Sequence, residues 1–324
     1  MADPLLQVVD LVKSFPVRRG FFGRQKHRLL AVDRANLTLL PNDTFGLVGE
    51  SGCGKSTLGL TIMQLYEPNE GKVVLEGRDL AQLQGAELQQ ARRSMQMIFQ
   101  DPYASVDPRM TVGEIVREPL DIQKVGPPAQ RSERAAELLE KCGVNPAFMS
   151  RFPNEFSGGQ QQRIGIARAL MLQPKVLICD EPVSSLDVSV QAQILNLLRD
   201  LQDEFNLSYI FISHNIAVTA FMSHRIGVMY LGKIVEVAAS KDILNRPKHP
   251  YTRALLSAVP DKDPRNRRQR IQLTGELPSP IDRPSGCPFH PRCPLAADVC
   301  RGEMPPLRTM NNNHQVACYF AEED

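Results

Sequence analysis

With 324 residues, the chain is long enough for two domains or for one large domain with an appendage. Its 42% hydrophobic and 23% charged content allows a sizeable buried core, and a formal charge of +2 gives no electrostatic reason to expect a nucleic-acid partner. No apolar run reaches the roughly 18–20 residues needed to span a bilayer, and Met1-Ala2-Asp3-Pro4 lacks the basic flank and apolar core of a secretory signal, so a cytosolic location is expected.

To about residue 99, short β-branched runs alternate with turns, predicting strands at Leu29 to Leu40, Phe45 to Val48, Gly71 to Gly77 and Met95 to Phe99. Residues 49–56 read Gly49-Glu50-Ser51-Gly52-Cys53-Gly54-Lys55-Ser56, a complete G-x-x-x-x-G-K-[ST] loop. It lies between the apolar run Thr44 to Val48 and Thr57 to Ile62, which can open a helix. Such glycines let backbone N–H groups turn inward around phosphate oxygens, and the helix start adds favourable potential. Lys55 can reach β- and γ-phosphates, and the Ser56 hydroxyl can coordinate Mg²⁺. The chain is therefore expected to bind a nucleoside triphosphate.

From about 111 to 172 the pattern turns helical, as in the charge-laced stretch Arg131 to Lys141. Within it, Ser157-Gly158-Gly159-Gln160 can present a hydroxyl and bare N–H groups at a helix start, a second anion site. A lone Ser-Gly-Gly is an ordinary turn; its place ahead of the run Val176 to Cys179, which ends in Asp180-Glu181, makes it specific. Asp180 is placed to hold Mg²⁺ through its shell and Glu181 to polarise an attacking water. Further strands are predicted at Tyr209 to Ile212, Arg225 to Tyr230 and Lys233 to Val237, with a helix over Val190 to Phe205. Alternating strands and helices predict an α/β fold, with a mostly parallel sheet and helices on its faces. From about 241 the texture becomes Pro-rich, Arg-rich and Cys-bearing. The expected division is an ATP-binding core over 1–99 and 173–240, a helical subdomain over 100–172 and a C-terminal extension over 241–324.

Cys53, Cys142 and Cys179 are scattered and read as ordinary small residues in loop, helix and strand. Cys287, Cys293, Cys300 and Cys318 are spaced C-x₅-C-x₆-C-x₁₇-C. In a reducing compartment such a group points to metal or iron–sulfur ligation rather than disulfides. Four thiolates can complete a [4Fe–4S] cluster or a tetrahedral zinc site, unligated or disulfide-bonded thiols being the third possibility. Structural zinc generally uses tighter C-x₂₋₄-C pairs, so the wider, proline-stiffened spacing suits a larger cluster better.

The phosphate loop 49–57 with Thr57, Gln100 after a strand, Ser157 to Gln160, Asp180-Glu181, Ser185-Leu186-Asp187 and His214 stand in the order found in ATP-binding cassette ATPases, which the chain resembles. The resemblance implies a P-loop NTPase (RecA-like) fold with an inserted helical subdomain. It also implies head-to-tail pairing, each ATP held by the phosphate loop of one domain and the Ser157 to Gln160 segment of the other. In that arrangement Gln100 senses Mg²⁺ and the attacking water, Asp187 lines the dimer contact and His214 touches the γ-phosphate. An aromatic upstream of the loop usually stacks adenine, a role open to Phe15, and the guanine-reading Asn-Lys-x-Asp motif is absent, so ATP is expected rather than GTP. Gln100 to Arg109, with Thr111-Val112-Gly113 and Glu118-Pro119-Leu120, looks like the dipeptide/oligopeptide importer branch, whose members contact a permease through this region. His249-Pro250-Tyr251-Thr252, Gly275 to Pro280 and Gly286 to Cys293 look like the extension of peptide- and nickel-importer ATPases, relatives of which carry an iron–sulfur cluster there. The partners so implied are a sister ATPase in a pseudo-symmetric heterodimer, two transmembrane permease subunits and, indirectly, a periplasmic or extracellular solute-binding protein, with no nucleic acid. The chain would sit peripherally on the cytoplasmic face of the inner membrane. The other reading, a soluble cassette ATPase acting on nucleic acid or ribosomes, usually brings two cassettes or a long coiled coil, and this chain has one cassette and no heptad run.

Overall fold

The computed structural model describes residues 3–19, 25–101, 106–259, 271–273, 275–276 and 278–322. The chain divides into two units, a first comprising 4–39, 44–81 and 213–324, and a second comprising chiefly 40–43 and 82–212. Pro102 to Ser105 of the importer-like segment lie outside the described residues, as do two basic stretches expected to be solvated loop, Arg265 to Arg270 and the side chains of Arg18 and Arg19.

The first unit begins with β1 (Leu6–Arg19), β2 (Gln25–Leu39), β3 (Thr44–Val48), α1 (Lys55–Ile62), β4 (Glu70–Leu75) and β5 (Arg78–Asp79). Four of these strands form an antiparallel sheet in the order β2-β1-β4-β5, which the expectation of a mostly parallel sheet did not include. Its register pairs Leu6 with both Leu39 and Leu75, stacking buried side chains on one face. β3 instead is buried at every position, as a strand inside a parallel layer must be.

The second unit carries α2 (Gly85–Ser94), β6 (Met95–Ile98), α3 (Val112–Gln123), α4 (Pro128–Lys141), α5 (Gly158–Leu170), β7 (Val176–Asp180), α6 (Val188–Phe205) and β8 (Ser208–Ser213). β6, β7 and β8 are parallel, with Met95 opposite Val176 and Val176 opposite Ser208. Thr111 starts α3 with a capping box, its hydroxyl accepting from the Glu114 N–H while Glu114 accepts from the Thr111 N–H at 2.8 Å. Val112, Ile115 and Val116 of α3, Ala135, Leu138 and Leu139 of α4, and Ile164, Ile166, Ala167 and Leu170 of α5 are buried at helical spacing.

The first unit resumes with α7 (Ile216–Met222), β9 (Arg225–Tyr230) and β10 (Lys233–Ala239). β9 runs parallel to β3, with Phe45 opposite Arg225 and Val48 opposite Val228, and β10 returns antiparallel to β9. The region expected to form a C-terminal extension supplies α8 (Ser240–Asn245), α9 (Pro250–Ser257), α10 (Asp298–Gly302), β11 (Arg308–Thr309) and β12 (Gln315–Val316). It packs into the same unit as the phosphate loop. β12 adds to β10 through Glu236 and Val316, and Val48, Tyr230, Tyr251, Phe289, Cys287 and Cys300 share one core cluster. Among the described residues no helix is long and apolar enough to cross a membrane.

Candidate nucleotide site

The phosphate loop joins β3 to α1, and its glycines are required by space and conformation. A Cβ on Gly49 would stand 2.2 Å from the Met229 carbonyl oxygen, and one on Gly54 2.1 Å from that of Ala31. Gly54 also has φ +108°, a left-handed value that a larger residue resists, and it caps α1. Lys55 is buried at 4% exposure, and its Nζ donates to the carbonyls of Gly49 at 2.9 Å and Glu50 at 3.1 Å. A buried ammonium folded back on its own loop is placed to serve anionic oxygens brought to that loop. Cys53 is buried and its thiol pKa is raised by that burial, so it is inert packing. Ser51 and Gly52 are exposed, and Ser56 and Thr57, in the first turn of α1, are half-buried.

Phe15 in β1 is half-buried and meets Tyr66 edge-on, ring centroids 5.2 Å apart, with Lys13 Nζ 5.1 Å from the Phe15 ring. Tyr66, 39% exposed, was not picked out from the sequence, because its only signal is a position just beyond α1. The two rings and the cation gather aromatic surface and positive charge in one place. His214 is exposed directly after β8, between Ser213 and Asn215, whose Oδ1 caps α7 by accepting from the N–H groups of Ala217 and Val218.

In the second unit, Ser157 caps α5 in a reciprocal box. Its Oγ accepts from the Gln160 N–H at 3.4 Å, while Gln160 Oε1 accepts from the Ser157 N–H at 3.0 Å. Gly158 and Gly159 follow in the first turn, and a Cβ on Gly159 would come 2.5 Å from Val190 Cγ1. The start of α5 is thus a bare backbone surface. Asp180 ends β7 and Glu181 follows it, both buried. Gln100 Nε2, beyond β6, donates to Glu181 Oε2 at 3.3 Å, so two of the expected catalytic side chains are brought together. Glu181 stands at φ +46°, an unfavourable value for a residue with a side chain, and its N–H donates to the Ile212 carbonyl of β8. Asp187 is exposed at the N-cap of α6, next to Val188 at 82% exposure.

Residues 32–184 match the family described as ABC transporter, and residues 235–300 match the one described as oligopeptide/dipeptide transporter, C-terminal region. The oligopeptide transport ATP-binding protein AppF of Bacillus subtilis is 48% identical over 98% of this chain and 98% of its own length. The "Probable peptide ABC transporter ATP-binding protein y4tS" of Sinorhizobium fredii is 51% identical over 98% of this chain and 90% of its own length. The chain belongs to the ABC transporter ATP-binding proteins. Among solved structures, the ADP- and phosphate-bound dimer of the ATP-binding cassette MJ0796 aligns with a TM-score of 0.64 at 29% identity, covering 72% of this chain and 98% of that one. This ABC ATPase therefore has the P-loop NTPase fold, and it is an ATP-hydrolysing transporter subunit.

The C-terminal part of the ATPase holds its four late cysteines as free thiols, Cys287 and Cys300 buried, Cys293 and Cys318 half-buried. The Cys287 N–H donates to the Cys300 carbonyl at 2.8 Å. Burial first, then the neighbouring thiols, push Cys287 up to about 11 and raise Cys293 and Cys318. Backbone N–H groups of Phe289, Leu295 and Phe320 are directed at those three sulfurs. The donor chemistry fits a soft cation or an iron–sulfur cluster. Yet no three His, Cys, Asp or Glu side chains form a metal-holding group among the described residues, so neither the expected cluster nor zinc has its ligand cage drawn up here. A thiolate cage closes as a metal displaces the thiol protons, so the ligand set is drawn together on binding.

Proposed function

We propose that this chain is the ATPase subunit of an importer for short peptides. The observation that carries the reading is the match of residues 235–300 to the oligopeptide/dipeptide transporter C-terminal region, on a segment that shares its core with the phosphate-loop unit. The names of relatives such as AppF support it. In this reading the loop binds the triphosphate through Lys55 and through Gly49, Ser51, Gly52, Cys53, Gly54, Ser56 and Thr57, while the Glu50 N–H is engaged by Tyr251. Phe15 stacks the base, with Tyr66 beside it. Glu181, steadied by Gln100, takes the proton of the attacking water, and His214 supports the γ-phosphate. Mg²⁺, when bound through Ser56, Gln100 and Asp180, neutralises phosphate charge. Ser157, Gly158, Gly159, Gln160 and Asp187 serve a second ATPase subunit, and the region 100–172 serves two permeases that a solute-binding protein supplies. Binding closes the pair and hydrolysis reopens it.

Purifying a Glu181→Gln variant from native membranes with ATP tests this. Retained ATP binding, turnover lowered by about a hundredfold or more, and recovery of two permeases with a sister ATPase are expected. Recovery with ribosomes or DNA would overturn the transport role, and normal hydrolysis would remove Glu181 from its role. The four cysteines are proposed to hold a [4Fe–4S] cluster. Anaerobically purified protein should then be coloured, and Cys300→Ser should bleach it; colourless protein with one zinc per chain would decide for zinc.

A further inference from the structure

The phosphate loop is fastened from outside by a side chain whose motif the nucleotide chemistry did not absorb. Arg292 lies in the turn between Cys287 and Cys293, and its Nη1 and Nη2 donate to the two carboxylate oxygens of Glu50 at 2.9 and 3.2 Å. Glu50 is the second residue of the loop. Its N–H donates to Tyr251 Oη at 2.8 Å, and its carbonyl accepts from Lys55 Nζ at 3.1 Å and from the Cys53 N–H at 3.2 Å. Every polar group of Glu50 is thus engaged, two of them by the C-terminal segment. The platform is stiff: the Tyr230, Tyr251 and Phe289 rings pack edge-on or tilted with centroids 4.7 to 5.4 Å apart.

Exposed ion pairs contribute little, but this one is different in kind. It is bidentate, the Arg292 side chain is only 9% exposed, and that of Glu50 is 27% exposed. A guanidinium keeps its charge in proteins, and the fork to Glu50, with Tyr230 Oη at 3.5 Å from Nη1, holds it in place. There is also an electrostatic need for it. A carboxylate inside a loop that receives a polyanion repels its own ligand unless a cation cancels it. A second tie, Arg283 Nη1 to Asp33 Oδ2 at 2.8 Å, already anchors the C-terminal segment to β2, so Arg292 is not needed merely for docking.

We propose that Arg292 is a positioning residue for the nucleotide phosphates, holding the first turn of the phosphate loop through Glu50 and cancelling the Glu50 charge. The proposal rests on the reading of residues 49–56 as an ATP site. Its test is the affinity of the full-length chain for Mg²⁺ with a non-hydrolysable ATP analogue, measured by titration calorimetry alongside thermal melting. Arg292→Gln is expected to weaken binding roughly tenfold, within the range over which contacting groups couple. Arg292→Lys should recover part of that loss, having the charge without the fork. Adding Glu50→Gln to Arg292→Gln should restore affinity toward the wild type, because the uncompensated carboxylate is gone; a purely structural tie would give no such rescue. Unchanged affinity in Arg292→Gln, additive losses in the double variant, or an equal loss in Arg283→Gln would each overturn the proposal. Wild-type protein that binds no analogue would instead bring down the ATP reading beneath it.

Discussion

The helix starts of α1 and α5 both offer backbone N–H groups, and they are built in opposite ways. The start of α1 depends on remote sequence: the Ala31 and Met229 carbonyls crowd its glycines, and Arg292 and Tyr251 hold Glu50. The start of α5 is local, since Ser157 and Gln160 cap each other within four residues and both stay exposed. The contrast teaches what each can do alone. An enclosed loop with a buried lysine is organised to hold an anion by itself; an exposed, self-capped start is organised to be presented to something else.

The largest effect expected from breaking this contrast is at the enclosed end. Lys55→Ala should weaken binding of a non-hydrolysable ATP analogue by about two orders of magnitude, since it removes the charge-assisted contact of a buried ammonium. Calorimetry on the single chain reads it directly. A smaller effect sharpens the same contrast through pH. Burial, partly opposed by Glu236, depresses the His249 imidazole to about 4 from its ordinary 6.5. Its Nδ1 accepts from the Tyr251 N–H at 3.1 Å, at the start of the helix that holds Glu50. The unfolded chain takes up the proton first as pH falls, so the stability present above pH 6.5 is lost on the way down to pH 4, about 2 kcal/mol of it by pH 5. Urea midpoints at pH 7 and 5 should differ accordingly, and His249→Asn, which keeps a cap, should flatten that difference. The smallest effect belongs to the open end. Ser157→Ala should cost about 1 kcal/mol in urea unfolding and weaken single-chain nucleotide binding less than Lys55→Ala does.

What could be read from the chain follows the same line. The loop 49–56, the strand end at Asp180 and the Ser157 box are contiguous or strongly periodic, so their spacing picked them out, whereas His214 entered only through the resemblance to ATP-binding cassette ATPases. The antiparallel sheet was partly legible, because Leu29 to Leu40 and Gly71 to Gly77 look like strands while nothing in them tells parallel from antiparallel pairing. Tyr66, Tyr251, Arg283 and Arg292 carried no role because their partners lie far along the chain, 242 positions for Arg292 and Glu50. The late cysteines show the limit from another side. Spacing proposes ligands, but a cage is drawn together by the ion it holds.

Glu181 joins a buried carboxylate to a backbone at φ +46°, a conformation that costs of order 1–3 kcal/mol for a residue with a side chain and little for glycine. On the proposed role of Glu181 as base, stability and chemistry pull that codon in different directions. With Glu181 as the proposed base, a laboratory evolution that scored only heat resistance would favour glycine at 181 and return a tougher protein with its turnover lost, so a screen for hardier variants of this subunit has to select for turnover as well.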